Sequence, residues 1–115
     1  MGVAANIVGE FNEMKLRKKW KWMTFKCEKN EIVIEKKGTG GIAEFKKSLP
    51  EKDGRYGVFD SGTKIFFVLW CPDASHVNAR TLYASSKEAL VNALEGVHSH
   101  TIQAHDMGDL DKLSS

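Results

Sequence analysis

Six consecutive apolar residues, IFFVLW at Ile65–Trp70, constrain this 115-residue chain more than any other stretch. A strand with one face in water alternates polar and apolar side chains. An unbroken apolar run of this length predicts a central strand covered on both faces. Tyr56–Phe59 reads as its antiparallel partner, and Ser61-Gly62 between them is a two-residue hairpin signal. Pro72-Asp73 ends the run.

The segments around this pair supply the layers it needs. Asn6 is a candidate helix cap, and Ile7, Phe11 and Met14 behind it are spaced four and three. That spacing predicts an amphipathic helix over Ile7–Lys19, with Lys15, Arg17, Lys18 and Lys19 in its last turn, where cations oppose the helix dipole. Trp20–Cys27 changes to a period of two and predicts a strand. Glu28–Asn30 predicts a turn, and Ile32–Ile34 begins a second strand. Gly38, Gly40 and Gly41 break the chain before Ile42, Phe45 and Leu49, a short helix stopped by Pro50. Ser75–Leu94 is helical in pattern, with Gly96 as its C-cap. The S-x-x-E form of Ser85–Glu88 predicts a break or bend inside it, or serine hydroxyls bonded back to preceding carbonyls. Val97–Ala104 predicts a last strand and Met107–Leu113 a frail terminal helix. The order of elements argues one domain over residues 1–115, an α/β (α+β) mixed sheet of about five mostly antiparallel strands flanked by helices.

The stretch KLRKKWKWMTFK, Lys15–Lys26, threads Trp20, Trp22 and Phe25 between cations. Basic residues neutralise phosphates and rings stack on bases, so nucleic acid is one reading. Net charge argues against it: 17 basic residues stand against 15 acidic, a balance of +2. A dedicated nucleic-acid domain carries a larger excess. The structural reading is that the cations close one helix while the aromatics open a sheet. Anionic headgroups stay open as partners of Lys15, Arg17, Lys18, Lys19 and Lys21, a candidate phosphoinositide patch.

Little else points to chemistry. Metal sites need three or four convergent ligands, and His98, His100 and His105 have no cysteine or carboxylate cluster beside them. The glycines of GTGG, Gly38–Gly41, lack the Lys-Ser/Thr of a phosphate loop. No nucleophile–histidine–carboxylate set can be assembled from spacing. The expectations are no catalytic residues, no metal and no cofactor. Cys27 and Cys71 predict two packed, reduced thiols, with a single disulfide the other reading. No apolar run approaches the ~20 residues of a membrane helix, and no leader pattern is present, which predicts a cytosolic chain.

One long segment carries a resemblance. Ile65–Gly96, IFFVLWCPDASHVNARTLYASSKEALVNALEG, resembles the actin-depolymerising factor/cofilin family in its WCPD and LYASSKEAL motifs. Phe11–Lys15 is similar to that family's first helix and Leu49–Asp60 to the approach to its third strand. Shortness and the MGDL near the end look most like the compact members of apicomplexan parasites. The resemblance implies one actin-depolymerising-factor-homology domain, non-enzymatic, that binds ADP-actin monomers, binds filament sides weakly, and promotes filament turnover at the cytoskeleton as a monomer. It implies that the long helix enters a cleft of actin beside the N-terminal segment. The contact residues it implies are Gly2, Val3, Arg80, Thr81, Leu82 and Ser86, with Tyr83 buried and its hydroxyl bonded. The related glia-maturation-factor branch, which targets the Arp2/3 complex, is the alternative within the same fold.

Departures from the family pattern refine these expectations. Asn78 stands where many relatives have lysine, and Thr81 where they have methionine. Losing both anchors predicts weaker binding, by about 1–2 kcal/mol. Val91-Asn92-Ala93 replaces a run of lysines, which moves any lipid contact to the Lys15–Lys21 patch. Lys64 is the one cation beside the short hairpin, and Lys112 belongs to a thin C-terminal remnant. With this second surface cut down, bivalent filament binding weakens first and monomer binding dominates. Gly2, Val3 and Ala4 leave no serine for the N-terminal phosphorylation switch of relatives.

Overall fold

A computed structural model describes residues 2–60, 65–72, 77–94, 101–106 and 108–110. Six strands form one mixed sheet in the order β1-β3-β2-β4-β5-β6. These are β1 (Gly2–Val3), β2 (Trp22–Glu28), β3 (Glu31–Gly38), β4 (Arg55–Asp60), β5 (Ile65–Trp70) and β6 (Thr101–Ala104). The pairs β2–β3, β2–β4 and β4–β5 are antiparallel, whereas β1–β3 and β5–β6 are parallel. Helices α1 (Ala5–Arg17), α2 (Ile42–Ser48) and α3 (Val77–Ala93) complete the described elements.

The IFFVLW strand lies inside the sheet, as its composition requires. Phe67 and Leu69 enter one core with Ile7, Phe11 and Met14 of α1, Tyr83 and Leu90 of α3, and Leu94 just beyond it. Val68 and Trp70 enter a second core on the opposite face, with Phe45 of α2 and Leu110. β2 is treated the same way: Met23 and Phe25 face the first core and Trp22 the second. Close approach on the second face depends on Gly57, because a Cβ there would stand 2.6 Å from Phe45 Cζ.

Thr24, paired with Gly57 across β2–β4, is fully buried. Its hydroxyl has no hydrogen-bond partner among the described residues. An unmet buried hydroxyl costs more than its removal. Thr24→Val is therefore expected to raise stability by about 1 kcal/mol, seen as a higher urea midpoint with an unchanged m-value. A lower midpoint would show that the hydroxyl is satisfied.

Several boundaries differ from the sequence expectation, each for a local reason. The first helix starts at Ala5 behind Ala4, which makes no side-chain cap, and Asn6 lies inside it. The short strand before it fixes the entry of the chain instead: Ala4 N–H donates to Ile32 O at 2.9 Å. The helix ends at Arg17 because Lys18 turns into the left-handed region (φ 57°), so Lys18 and Lys19 lie beyond it. Trp20 is outside β2 and donates to Glu10 O on α1 instead. The long helix runs unbroken through Ser85–Glu88, and Ser85 Oγ donates back to Leu82 O at 3.2 Å. Among the described residues the two-residue β1 adds a sixth strand to the about five expected, and it is too short to leave a periodic signal. Gly108–Leu110 is a single 3₁₀ turn, with Leu110 fully buried. The Ser61-Gly62 turn and the start of the expected last strand lie outside the described residues.

Candidate functional site

α3 turns one face inward. Tyr83, Leu90, Val91 and Leu94 are buried against the sheet, while Asn78, Thr81, Ser85, Glu88 and Asn92 form an exposed outer stripe at spacings of three and four. Tyr83 is the anchor. Its Oη accepts the Cys27 N–H of β2 at 3.0 Å, and its own carbonyl accepts the Tyr56 hydroxyl of β4. The two rings pack at 5.0 Å between centroids. The sequence expectation of a buried, bonded Tyr83 holds.

Burial pushes both the Tyr56 and the Tyr83 phenols up from their ordinary value. In the unfolded chain phenols ionise near pH 10, while the fold keeps these two protonated. The unfolded state then loses protons first, so stability is full below about pH 10 and falls as pH rises beyond it. Urea midpoints at pH 8 and at about pH 10.5 are expected to show that fall, and Tyr83→Phe to flatten it.

Beside the N-terminal half of α3 lies a groove of about 290 Å³. Val77, Arg80, Thr81 and Ala84 form its helix wall, and Cys71, Gln103 and His105 its sheet wall. His105 Nδ1 sits 3.1 Å from Cys71 O, and its backbone N–H donates to Asp109 Oδ2. Burial pushes the Cys71 thiol up, partly countered by the nearby Arg80 charge. Burial likewise raises the Cys27 thiol. Both cysteines are free, as expected, and neither is tuned as a nucleophile. Among the described residues no group of His, Cys, Asp or Glu is arranged to hold a metal.

Arg80 and Thr81 are exposed on this face. Leu82, 39% exposed, lies about 200° further round the helix from Arg80 and faces away from the groove. Ser86, also expected as a contact, is only 7% exposed, on the side of Tyr83 and Leu90. Gly2 is exposed and Val3 half-buried in β1, against which α3 packs. The N-terminal segment and the long helix are thus neighbours. Val77, Gln103 and His105 join the groove without having been singled out for it. Only the exposure of an apolar Val77, at 64%, gives them away, and that needs the fold. Lys64 and Lys112 lie outside the described residues.

The basic stretch resolves differently. Trp22 and Phe25 are buried, and Trp22 Nε1 donates to Glu44. The Trp20 ring is flanked by the ammonium groups of Lys37 at 4.4 Å and Lys19 at 5.5 Å. Lys18 pairs with buried Asp60 at 3.1 Å, and Arg17 with Glu13. These cations sit at the Trp22, Gly38 and Asp60 ends of the strands, opposite the end that carries Gly2 and Cys71.

A six-stranded mixed sheet with a long helix and a short N-terminal strand side by side is a fold already seen in solved structures. It superposes on a cofilin of Streptomyces griseoflavus with a TM-score of 0.88, at 32% identity over 97% of this chain and 98% of that one. It matches the actin depolymerizing factor of Toxoplasma gondii at 0.81, with 52% identity over 98% and 96% of the two chains. The pattern that defines the cofilin/tropomyosin-type actin-binding proteins matches residues 1–114, and the chain belongs to that family. In sequence it is 50% identical to the Toxoplasma gondii factor over 99% of this chain and 97% of the relative. A Vitis vinifera actin-depolymerizing factor is 42% identical over 96% of this chain and 86% of its own length. The family binds actin and is not enzymatic, and its membership associates the chain with the cytoskeleton.

Proposed function

We propose that the chain binds actin monomers, preferentially ADP-bound, through Gly2, Val3, Arg80 and Thr81, with Leu82 on the far flank of the same helix, and drives filament turnover by that association. The observation that carries this reading is the division of labour on α3. Its apolar stripe and Tyr83 are consumed by the sheet, while Arg80 and Thr81 are exposed at a groove on the β6 side, at the same strand ends as β1. A planar guanidinium so placed pairs with partner carboxylates. Lys64 and Lys112 supply a residual filament contact, so side binding and severing are weak. The chain acts as a monomer in the cytosol.

Phosphoinositides are a second partner class, through Lys15, Arg17, Lys18, Lys19 and Lys21. Leu16 favours this patch: it is 75% exposed in the middle of the cations, where an apolar side chain can enter a headgroup layer. One experiment tests the main reading. Binding to ADP- and ATP-actin monomers is measured beside the fragmentation of labelled filaments. Tight ADP-monomer binding with slow fragmentation is expected. Filament decoration without monomer binding would overturn it.

A further inference from the structure

The contact face proposed above has two parts from distant points in the sequence, the N-terminal segment and α3. Both are fastened to the same small piece of the protein, the tip of the β2–β3 hairpin. Gly2 N–H donates to Asn30 O at 3.1 Å, and Ala4 N–H to Ile32 O at 2.9 Å. Three residues before Asn30, the Cys27 N–H donates to Tyr83 Oη of α3 at 3.0 Å. The turn between them is Lys29-Asn30, both in the left-handed region at φ 50° and φ 65°. Consecutive positive φ angles are the geometry of a tight turn matched to the twist of its strands. Asparagine tolerates it, whereas a β-branched side chain does not.

We propose that this hairpin tip positions the two halves of the binding face relative to each other, with Asn30 as the positioning residue. Its backbone conformation aims the carbonyl that receives Gly2. A turn in any other conformation moves that acceptor while Tyr83 still holds α3 to Cys27, so the N-terminal segment loses its register beside the helix. Asn30 itself need not touch the partner. The inference rests on the reading of the face given under Proposed function.

A double-mutant cycle tests it. Gly2→Pro removes the N–H that the Asn30 carbonyl accepts. Asn30→Val disfavours the turn and Asn30→Gly preserves it. Gly2→Pro and Asn30→Val are each expected to weaken binding to actin monomers by about fivefold, and the pair by no more than either alone. Asn30→Val is also expected to speed hydrogen exchange at the Ala4 amide. Asn30→Gly retains wild-type affinity. If Asn30→Val does not fold, a glycine inserted between Lys29 and Asn30 displaces the same carbonyl. Losses that multiply, or full affinity with a distorted turn when Gly2→Pro weakens binding, would overturn the positioning role alone. An unchanged affinity in Gly2→Pro would remove the N-terminal segment from the face, and the inference with it.

Discussion

Replacing Tyr83 by alanine is expected to cost about 3–5 kcal/mol of folding stability, the range for deleting a large buried ring. Three separate losses converge. The ring is 4% exposed and packs on Tyr56 at 5.0 Å between centroids. The Cys27 N–H loses its acceptor at the hairpin tip. Gly54 loses its neighbour too, since a Cβ built on it would stand only 2.8 Å from the Tyr83 ring. Against a typical total of about 5–15 kcal/mol, a loss of that size leaves a marginal domain. Tyr83→Phe keeps the ring and isolates the hydroxyl, at about 1–3 kcal/mol for the orphaned donor. Equilibrium urea unfolding of both variants checks the pair. An alanine variant within about 1 kcal/mol of wild type would show that α3 is held mainly by Leu90 and Leu94.

Reversing the charge at Arg80 is expected to weaken actin-monomer affinity at least about tenfold, or roughly 1.4 kcal/mol, at an unchanged thermal midpoint. The side chain is exposed at the rim of the groove, so its replacement leaves both cores intact. Glutamate adds repulsion from the carboxylates that arginine would pair with, whereas glutamine only removes attraction. Arg80→Gln should therefore lose less than Arg80→Glu, and the gap should narrow as salt is raised. Equal affinities for wild type and Arg80→Glu, with equal thermal midpoints, would take Arg80 out of the contact.

How much of this was visible in the chain follows from how local each signal is. Ile65–Trp70 appears as expected because burial on both faces writes itself into six consecutive side chains. Tyr83 is legible because a phenol in an apolar helical stripe must find a partner. Ser86 is not: serine is small enough to face either way, and only the packing of α3 on the sheet decides. β1 is equally hidden, since its pairing partner lies some thirty residues away at Glu31–Ile32 and two residues carry no period. The groove draws on Cys71, Arg80, Gln103 and His105, brought together by the parallel pairing of β5 and β6. No spacing rule anticipates a wall built from so many separate segments.

α3 is the crossover between two adjacent parallel strands, β5 and β6, so both of its ends are tethered to the sheet it lies on. A helix strapped in this way is a beam rather than a lever. In the proposed complex, whatever seizes it would seize the sheet as well, which leaves less conformational freedom to be lost on contact. In the proposed complex the compliance must then come from the other side. This small protein would serve as a stiff wedge, and the adjustment would fall to the cleft of the monomer it enters.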